Sequence, residues 1–346
     1  MMSSYPSFYL PPEWTSQSGV MLTWPHIDTI WADTLSAIDE VFTEVAAHIS
    51  KRERVLIASS NITRIDTILK NSTANRDRIS IFEVASDDIW VRDHGPISVI
   101  AENKPLLLDF IFNGWGNKYP AKNDNCLTKH LHRLGGFHQT PHLPIDMVIE
   151  GGALEVDGKG SLLTTKSCLL ASNRNPHLTQ EEIENKLQTY LGIHKILWLE
   201  HGYLEGDDTD GHIDTLARFT NADTICYVSC DDRYDPHFSS LKEMEKELQT
   251  FASYQGKPYQ LVPLPWPKAR FADYDGRRLP LNYANFLMIN EAILVPTYDD
   301  PADQIAISQL QRCFKNREII PINCLPVIQW YGSLHCMTMQ LPEGIL

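Results

Sequence analysis

Hydrophobic residues recur along this chain in short alternating runs separated by polar turns, a pattern typical of paired strands. In four places one such run is followed by turn residues and then by a second run, and the Asp157-Gly158 pair is a strong hairpin signal. The predicted hairpins cover residues 92–112, 150–165, 214–229 and 282–296, with turns at 102–103, 157–158, 221–223 and 290–291.

Helical patterns follow most of these hairpins. Thr179 and Glu182 have the spacing of a capping box, which predicts a helix over 181–191. Two more amphipathic runs begin at Asp-Pro pairs, which indicates a helix start because proline is favoured in the first helical turn. A further amphipathic run precedes the first hairpin. These runs cover 34–51, 235–253 and 300–314, with apolar positions at Ile38, Val41, Phe42, Val45, Ile49, Phe238, Leu241, Met244, Leu248, Ile305, Leu310 and Phe314.

The order of elements therefore predicts about five hairpin-plus-helix units of roughly 50 to 75 residues, a period typical of repeat architecture. Units that cannot bury their apolar faces alone are expected to pack around a common centre. A plain α/β sheet with alternating elements remains an alternative. No linker or low-complexity tract divides the sequence, so we expect a single domain over residues 1–346.

Composition narrows the class of protein. The 30 Lys and Arg residues and 44 Asp and Glu residues give a net charge of −14, which argues against nucleic-acid binding and fits a cationic partner. No apolar run approaches the length of a membrane span, and the N-terminal segment shows no secretory signal. The 7 cysteines form no C-x-x-C pair, which favours reduced thiols in the cytoplasm.

Five chemically distinctive residues lie at equivalent places, near the predicted start of a strand in their units. They are Asp93, Glu150, His212, Asp214 and Cys336. Because equivalent positions of a ring of repeats converge on its axis, we expect these side chains to share one pocket.

A cysteine beside a histidine is the pairing used in covalent catalysis. Several carboxylates next to that pair do not suit acyl transfer, which needs hydrogen-bond donors for an oxyanion. Carboxylates instead grip a planar cation such as a guanidinium group. The predicted chemistry is thiolate attack on a guanidinium carbon, proton donation to the leaving amine, and hydrolysis of the thiouronium.

Taken singly, each of these residues also has a structural explanation. Cys336 could be an inert buried thiol, as free cysteines usually are, and Asp93 could form a salt bridge with Arg92. His212 and Asp214 could be a hydrogen-bonded pair. The functional interpretation therefore depends on their combined placement.

Motifs for metals and nucleotides are incomplete. Residues 208–211 resemble a calcium loop but lack ligands at its first and last positions. Cys226 and Cys230 have no second ligand pair, and residues 114–116 lack the third glycine of a dinucleotide fingerprint. No metal or other cofactor is predicted.

Nine short motifs that occur in order make the sequence resemble a known family. They are Pro12-Glu13-Trp14, Trp24-Pro25-His26, and the segments 90–96, 112–116, 150–152, 173–176, 207–214, 296–301 and 335–338. Together they resemble the agmatine deiminases, which are grouped with the bacterial Porphyromonas-type peptidylarginine deiminases in the guanidine-modifying pentein superfamily. The resemblance covers nearly the whole chain.

The resemblance implies an α/β fold, a five-bladed propeller with pseudo-fivefold ββαβ repeats around a central active site. Cys336 would be the nucleophile and His212 the general acid and base, while Asp93 and Asp214 would clamp the guanidinium and Glu150 would hold substrate and assist proton transfer. The family uses no metal or organic cofactor. The implied reaction converts agmatine and water into N-carbamoylputrescine and ammonia, a step toward putrescine.

Two departures from the family pattern leave the substrate open. Residues 331–334 replace a run of glycines and an Asn, and Thr215 replaces an Asn. Free arginine, peptidyl arginine or another guanidine are alternatives, and a non-catalytic binding protein is less favoured because all five reactive residues are present. Glu205, Asp207 and Asp208 are candidates to meet the distal ammonium group of agmatine.

Three further residues are candidates for substrate binding, namely Trp90, Trp115 and Asp208, although Trp90, Trp115 and Tyr119, taken singly, are more typical of a core or rim position than of substrate stacking. The expected partner is a small cationic guanidino compound rather than a nucleic acid or a membrane. A ring-shaped domain with an apolar rim is also compatible with a homodimer.

Overall fold

The computed structural model of this chain describes residues 8–346. Part of the N-terminal segment on which the predicted absence of a signal rests, residues 1–7, lies outside the described residues. Within residues 8–346, every helix is too short or too polar to cross a lipid bilayer.

Strands and helices alternate along the described chain, which confirms an α/β fold. The strands are β1 (Phe8–Tyr9), β2 (Gln17–Thr23), β3 (Arg54–Ser59), β4 (Ile79–Glu83), β5 (Ile97–Ala101), β6 (Lys104–Ile111), β7 (His142–Val148), β8 (Glu155–Val156), β9 (Ser161–Thr165), β10 (Lys195–Leu199), β11 (Ala217–Asn221), β12 (Thr224–Val228), β13 (Gln260–Leu264), β14 (Leu287–Ile289), β15 (Ala292–Thr297), β16 (Glu318–Asn323) and β17 (Met339–Pro342). The longer helices are α1 (Leu35–Ser50), α2 (Ile62–Lys70), α3 (Asp124–Arg133), α4 (Gln180–Leu191), α5 (Phe238–Thr250) and α6 (Ala302–Cys313).

These strands form five separate sheets over residues 8–346, and one pattern recurs in all of them. Each sheet contains an antiparallel pair, namely β17/β2, β5/β6, β8/β9, β11/β12 or β14/β15. The second strand of each pair leads through a helix into a strand that pairs with it in parallel. The four predicted hairpins are thus confirmed as antiparallel pairs, and the ββαβ order recurs in every sheet.

The predicted strands begin too early, and this prediction was wrong. Short helical turns precede three of the strands, and they span Val91–His94, Gly151–Ala153 and Ile213–Thr215. A strand would send successive side chains to opposite faces. The turns instead pack against one another, which brings the polar side chains on and beside them to one region.

The longer helices follow from local sequence signals. Thr179 and Glu182 form the predicted capping box at the start of α4, and Gly192 ends this helix in the left-handed region with φ of 68°. The predicted apolar stripe of α1 is buried. Helix α3 was not predicted, because it has few apolar residues, of which Leu127 and Leu131 are buried.

One predicted core position is wrong. Ile305 on α6 is 52% exposed. The buried face of this helix runs through Ala302, Ala306 and Leu310 instead, at the helical spacing of four residues.

We expect the substitution Thr179→Ala to lower the free energy of unfolding by about 1 kcal/mol, because it removes the oxygen that accepts a hydrogen bond from the Glu182 N–H. Urea unfolding followed by circular dichroism would measure this change. Thr189→Ala, at an exposed position inside the same helix, is the matched control and should be near neutral. Equal effects of the two substitutions would contradict the capping role.

Candidate active site

The structure brings together all five reactive residues that the sequence predicted. Cys336 is 5% exposed, Asp93 4%, Glu150 2%, and His212 and Asp214 are fully buried. Asp214 Oδ2 lies 3.6 Å from the Cys336 thiol. The His212 ring lies 2.9 Å from Glu150 Oε2 through Nε2 and 3.5 Å from Asp93 Oδ1 through Nδ1.

Asp93 is held by two N–H donors. The Trp115 indole donates to Oδ2 at 2.9 Å, and the Gly152 backbone N–H donates to Oδ1 at 3.0 Å. A side chain at position 152 would not fit, because its Cβ would lie 2.4 Å from His212 Nδ1 and 2.8 Å from Asp93 Oδ1. Gly152 therefore allows the backbone to approach both reactive side chains closely.

His212 is held in a charged environment. Burial opposes its protonation, but the charge of Asp93, together with Cys168 and Glu150, raises the pKa of His212 well above its usual value. Glu150 is itself fixed by Arg174, which donates to Oε1 at 2.7 Å and to Oε2 at 3.1 Å. His212 is therefore a proton donor at neutral pH, and its Nδ1 has no hydrogen-bond partner among the described residues.

Asp214 presents one free oxygen to the site. Its Oδ2 accepts a hydrogen bond from His335 Nδ1 at 2.8 Å, while Oδ1 is buried and has no hydrogen-bond partner within residues 8–346. Burial opposes ionisation, but the hydrogen bond and charge of His335 lower the pKa of Asp214. A charged, unpaired acceptor beside a thiol is suited to binding an N–H group of a cation.

The Cys336 thiol is protonated in this environment. Burial, with the charges of Asp214 and Asp93, raises the pKa of this thiol well above its usual value. Asn285, which the sequence reasoning missed, lies with Nδ2 3.2 Å from the sulfur, and its Oδ1 accepts the His335 backbone N–H at 2.8 Å. A cation placed between the carboxylates would offset their charge and favour the thiolate.

A second row of buried residues, also missed, lies behind Asp214. His335 Nε2 lies 2.9 Å from Glu13 Oε2, and Arg218 Nη2 donates to the same oxygen at 2.6 Å. Because both ring nitrogens of His335 contact carboxylate oxygens, the Glu13–His335–Asp214 chain must hold two protons. Glu13 and His335 belong to the short motifs quoted above, which was the only available signal for them.

A cavity opens in front of the thiol. Its lining consists of Ile30, Asp88, Trp90, Asp93, Trp115, Tyr119, Asp208, Thr209, Trp330, Tyr331, Gly332 and Cys336. The candidates Trp90, Trp115 and Asp208 thus lie where a substrate would enter. The lining contains three carboxylates and no Lys or Arg, so the cavity favours cations.

The three carboxylates that were candidates to meet a distal ammonium group lie in different surroundings in the structure. Asp208 lines the cavity and accepts a hydrogen bond from the Tyr119 hydroxyl at 2.8 Å. Asp207 accepts from the Thr209 and Gly211 backbones and shapes the turn. The Glu205 side chain is 48% exposed and lies 3.9 Å from Arg278, outside the cavity, so its assignment to the site was wrong.

Asp88 is an acidic lining residue that the sequence reasoning missed. Its Oδ1 accepts a hydrogen bond from the Trp31 indole at 2.9 Å. Burial raises the pKa of Asp88 to about 6, and burial likewise raises the pKa of Asp208 to about 6. Both carboxylates are therefore largely ionised above this pH.

One cluster has the residue types of a metal site. Potential ligand atoms of Glu150, Cys168 and His212 lie within 4.8 Å of one another. The Arg174 guanidinium already occupies both oxygens of Glu150, and burial raises the pKa of Cys168 to about 11, which disfavours the thiolate that metals bind. This geometry suits a hydrogen-bonded charge network rather than metal coordination.

We expect Asp93→Asn to lower the apparent pKa of the Cys336 thiol by about one unit, because it removes a nearby negative charge. The pH dependence of alkylation by 2-chloroacetamide, read by mass spectrometry of the Cys336 peptide, would measure it. Cys168 is an internal control that should stay unmodified at pH 9 in both proteins. An unchanged pKa at Cys336 would show that Asp93 does not act on the thiol.

Comparison with known proteins assigns the chain to a family. Residues 9–342 match the Porphyromonas-type peptidyl-arginine deiminase family. A "Putative agmatine deiminase" of Legionella pneumophila (strain Paris) is 33% identical over 97% of this chain and 96% of its own. The solved structure of the "Putative Arginine Deiminase" from Porphyromonas gingivalis is 45% identical, with a TM-score of 0.93 over 98% of this chain and 99% of that one.

A cysteine-to-serine variant of the C. jejuni agmatine deiminase, solved with substrate bound, is 33% identical, with a TM-score of 0.92 over 100% of this chain and 99% of that one. The family match and these relatives extend over nearly all the residues from which the site is built. The chain therefore belongs to the Porphyromonas-type peptidyl-arginine deiminase family.

Proposed function

We propose that this protein hydrolyses agmatine to N-carbamoylputrescine and ammonia through a covalent intermediate on Cys336. The observation that carries the proposal is the Asp214 carboxylate, whose Oδ2 lies 3.6 Å from the Cys336 thiol and whose Oδ1 has no hydrogen-bond partner among the described residues. Asp93 and the protonated His212 belong to the same cluster. Relatives that align over nearly the whole chain bear the name agmatine deiminase, and one has been solved with substrate bound.

The guanidinium group would bind between Asp93 and Asp214. Each carboxylate can accept N–H groups of the planar cation, which fixes the guanidinium carbon beside the sulfur. The bound positive charge lowers the pKa of the Cys336 thiol, whose proton leaves to solvent as the substrate enters. The nucleophile is then formed only when a substrate is present.

The reaction would proceed in two halves. The thiolate adds to the guanidinium carbon, and the C–N bond to the departing amine breaks as His212 Nδ1 gives up its proton, which releases ammonia and leaves a thiouronium on Cys336. Neutral His212 then takes a proton from water, and the resulting hydroxide adds to the same carbon. Breaking the C–S bond restores the thiolate, and loss of the remaining hydroxyl proton to solvent yields the neutral ureido product.

The distal end of the substrate would lie near Asp208 and Asp88. Agmatine ends in an ammonium group, which these carboxylates can neutralise, whereas free arginine would bring its own carboxylate into a cavity that is lined by three carboxylates and no Lys or Arg. Deimination of free or peptidyl arginine remains the second candidate, since the family is named for the peptidyl substrate.

We also propose that the five sheets are blades of one propeller around this cavity and that residues 1–346 form a single domain. The shared ββαβ order of the sheets supports this arrangement. The contacts of Arg218, which joins Glu13, Glu155 and the Phe286 carbonyl from three parts of the chain, also support it.

Cys336→Ser is expected to reduce ammonia release from agmatine to background, because a serine hydroxyl does not form the required nucleophile. A coupled ammonia assay would measure turnover, and circular dichroism would establish that the variant folds. Cys126→Ser, a change at a half-buried thiol away from the cavity, should retain full activity. Substantial turnover by the Cys336→Ser variant would refute the covalent mechanism.

The preference for agmatine over butylguanidine should depend on Asp208, since the two compounds differ by the distal ammonium group. Asp208→Asn is expected to reduce the ratio of their kcat/KM values roughly tenfold at pH 8, the size of one charge-assisted hydrogen bond. In the unmodified protein the same ratio should fall as the pH drops through about 6, because protonation removes the charge of Asp208.

The matched control is Glu205→Gln, which removes one negative charge outside the cavity and should leave the ratio unchanged. A ratio that is insensitive both to Asp208→Asn and to pH would exclude this carboxylate as the ammonium site.

A further inference from the structure

Tyr331 has an unusual backbone for a residue with a large side chain. Its φ is 77°, in the left-handed region that glycine adopts readily and that a Cβ makes unfavourable. Such strain persists only where the surrounding structure holds it, and it concentrates at ligand-binding sites. Tyr331 lies in the cavity lining, so its strain is located where a substrate would pass.

The ring of Tyr331 is held in place, or braced, by the side chain of Arg277. The Arg277 guanidinium carbon lies 3.9 Å from the centre of this ring and 5.2 Å from that of Tyr274. Arg277 also donates a hydrogen bond to the Gln329 carbonyl, and Tyr274 stacks on Trp330 at 4.3 Å. The aromatic side chain is therefore held in place rather than free to swing into solvent.

The backbone on the other side of Tyr331 is equally fixed. Gly332 lies against the Trp90 ring, where an added Cβ would be 2.3 Å from the indole. The segment therefore has no room to move toward the cavity floor, and Tyr331 keeps a fixed depth.

That depth is near the mouth of the cavity. Trp90, Asp93 and Cys336 at its floor are almost fully buried, whereas Tyr119 is 39% exposed and Ile30 is 47% exposed. Tyr331 is half-buried, and its ring centre lies 6.4 Å from that of Tyr119. Tyr119 in turn donates to Asp208, the candidate site for the distal ammonium group.

We propose that Tyr331, braced by Arg277, is a size filter that restricts Cys336 to unbranched free guanidines and excludes peptidyl arginine. The inference rests on the function proposed above and names its substrate class. The Tyr119 and Tyr331 rings contact each other and narrow the mouth of the cavity. An unbranched distal chain can pass beside them, whereas an arginine within a peptide would bring two backbone branches to the same place. Tyr331 thus distinguishes deimination of agmatine from deimination of peptidyl arginine, the two activities for which the relatives are named.

Bulk can be tested separately from charge. Agmatine carrying a benzyl group on its distal amine keeps the positive charge of agmatine and adds only size. We expect the unmodified protein to deiminate this compound at least tenfold less efficiently than agmatine, by kcat/KM. Tyr331→Gly should raise the ratio of benzylated to plain agmatine at least tenfold, while Tyr331→Phe, which keeps the ring, should leave it unchanged.

Two further variants separate the filter from backbone strain. Arg277→Gln removes the brace without changing residue 331, and it should raise the same ratio. Glu291→Gly relieves another positive φ, of 65°, in the turn between β14 and β15, away from the cavity. It should leave the ratio unchanged, because it relieves backbone strain without altering the mouth of the cavity.

Alkylation provides a readout that does not need turnover. Modification of Cys336 by 2-chloroacetamide and by its N-benzyl derivative should differ in rate in the unmodified protein, and the difference should shrink in Tyr331→Gly. Equal alkylation rates of the two reagents in the unmodified protein would overturn the size filter. So would a Tyr331→Gly variant in which both the ratio of kcat/KM values and the ratio of alkylation rates stay unchanged. Failure of the unmodified protein to release ammonia from any guanidine would instead refute the proposed function, whatever the alkylation result.

Discussion

Charge pairing at the buried centre is the constraint on which the rest of this structure depends. Carboxylates removed from water are unfavourable unless cations or donors compensate them. Arg218, fully buried, donates to Glu13 at 2.6 Å and to Glu155 at 2.7 Å, and to the Ala284 and Phe286 carbonyls. Since these partners lie in separate parts of the chain, this one cation both neutralises the centre and fixes those parts relative to one another.

Some of the buried carboxylates are fully paired with cations and others are not, and the incompletely paired ones determine the chemistry of the site. Behind the cavity each acidic group is paired, with Arg174 on Glu150 and Arg218 on Glu13. Beside the thiol, Asp214 Oδ1 is unpaired among the described residues, and burial raises the pKa of Asp93, which lines the cavity, to about 6. The protein thus leaves part of its negative charge for a ligand to neutralise. A guanidinium supplies the missing charge and, in doing so, makes the neighbouring thiol reactive.

Sequence reasoning found what local signals encode. The four hairpins, the α4 capping box and the five reactive residues are each marked by turn chemistry, spacing or residue type. It missed contacts that depend on the fold closing, such as the Glu13–His335 pair and the approach of Asn285 to the thiol. It also started strands too early, because residues 91–94 and 151–153 form helical turns that tertiary packing holds, and segments this short show no periodic pattern in the sequence.

The pairing of β17 with β2 joins segments separated by most of the chain, and β17 begins three residues after the nucleophile. During synthesis from the N-terminus, Glu13 and Arg218 leave the ribosome long before His335, so the Glu13–His335 contact forms only after His335 has emerged. The first sheet lacks its β17 edge over the same period. A nascent chain therefore carries the carboxylates of Asp93 and Asp214 well before it carries the Cys336 thiol, and the site is completed only when β17 docks.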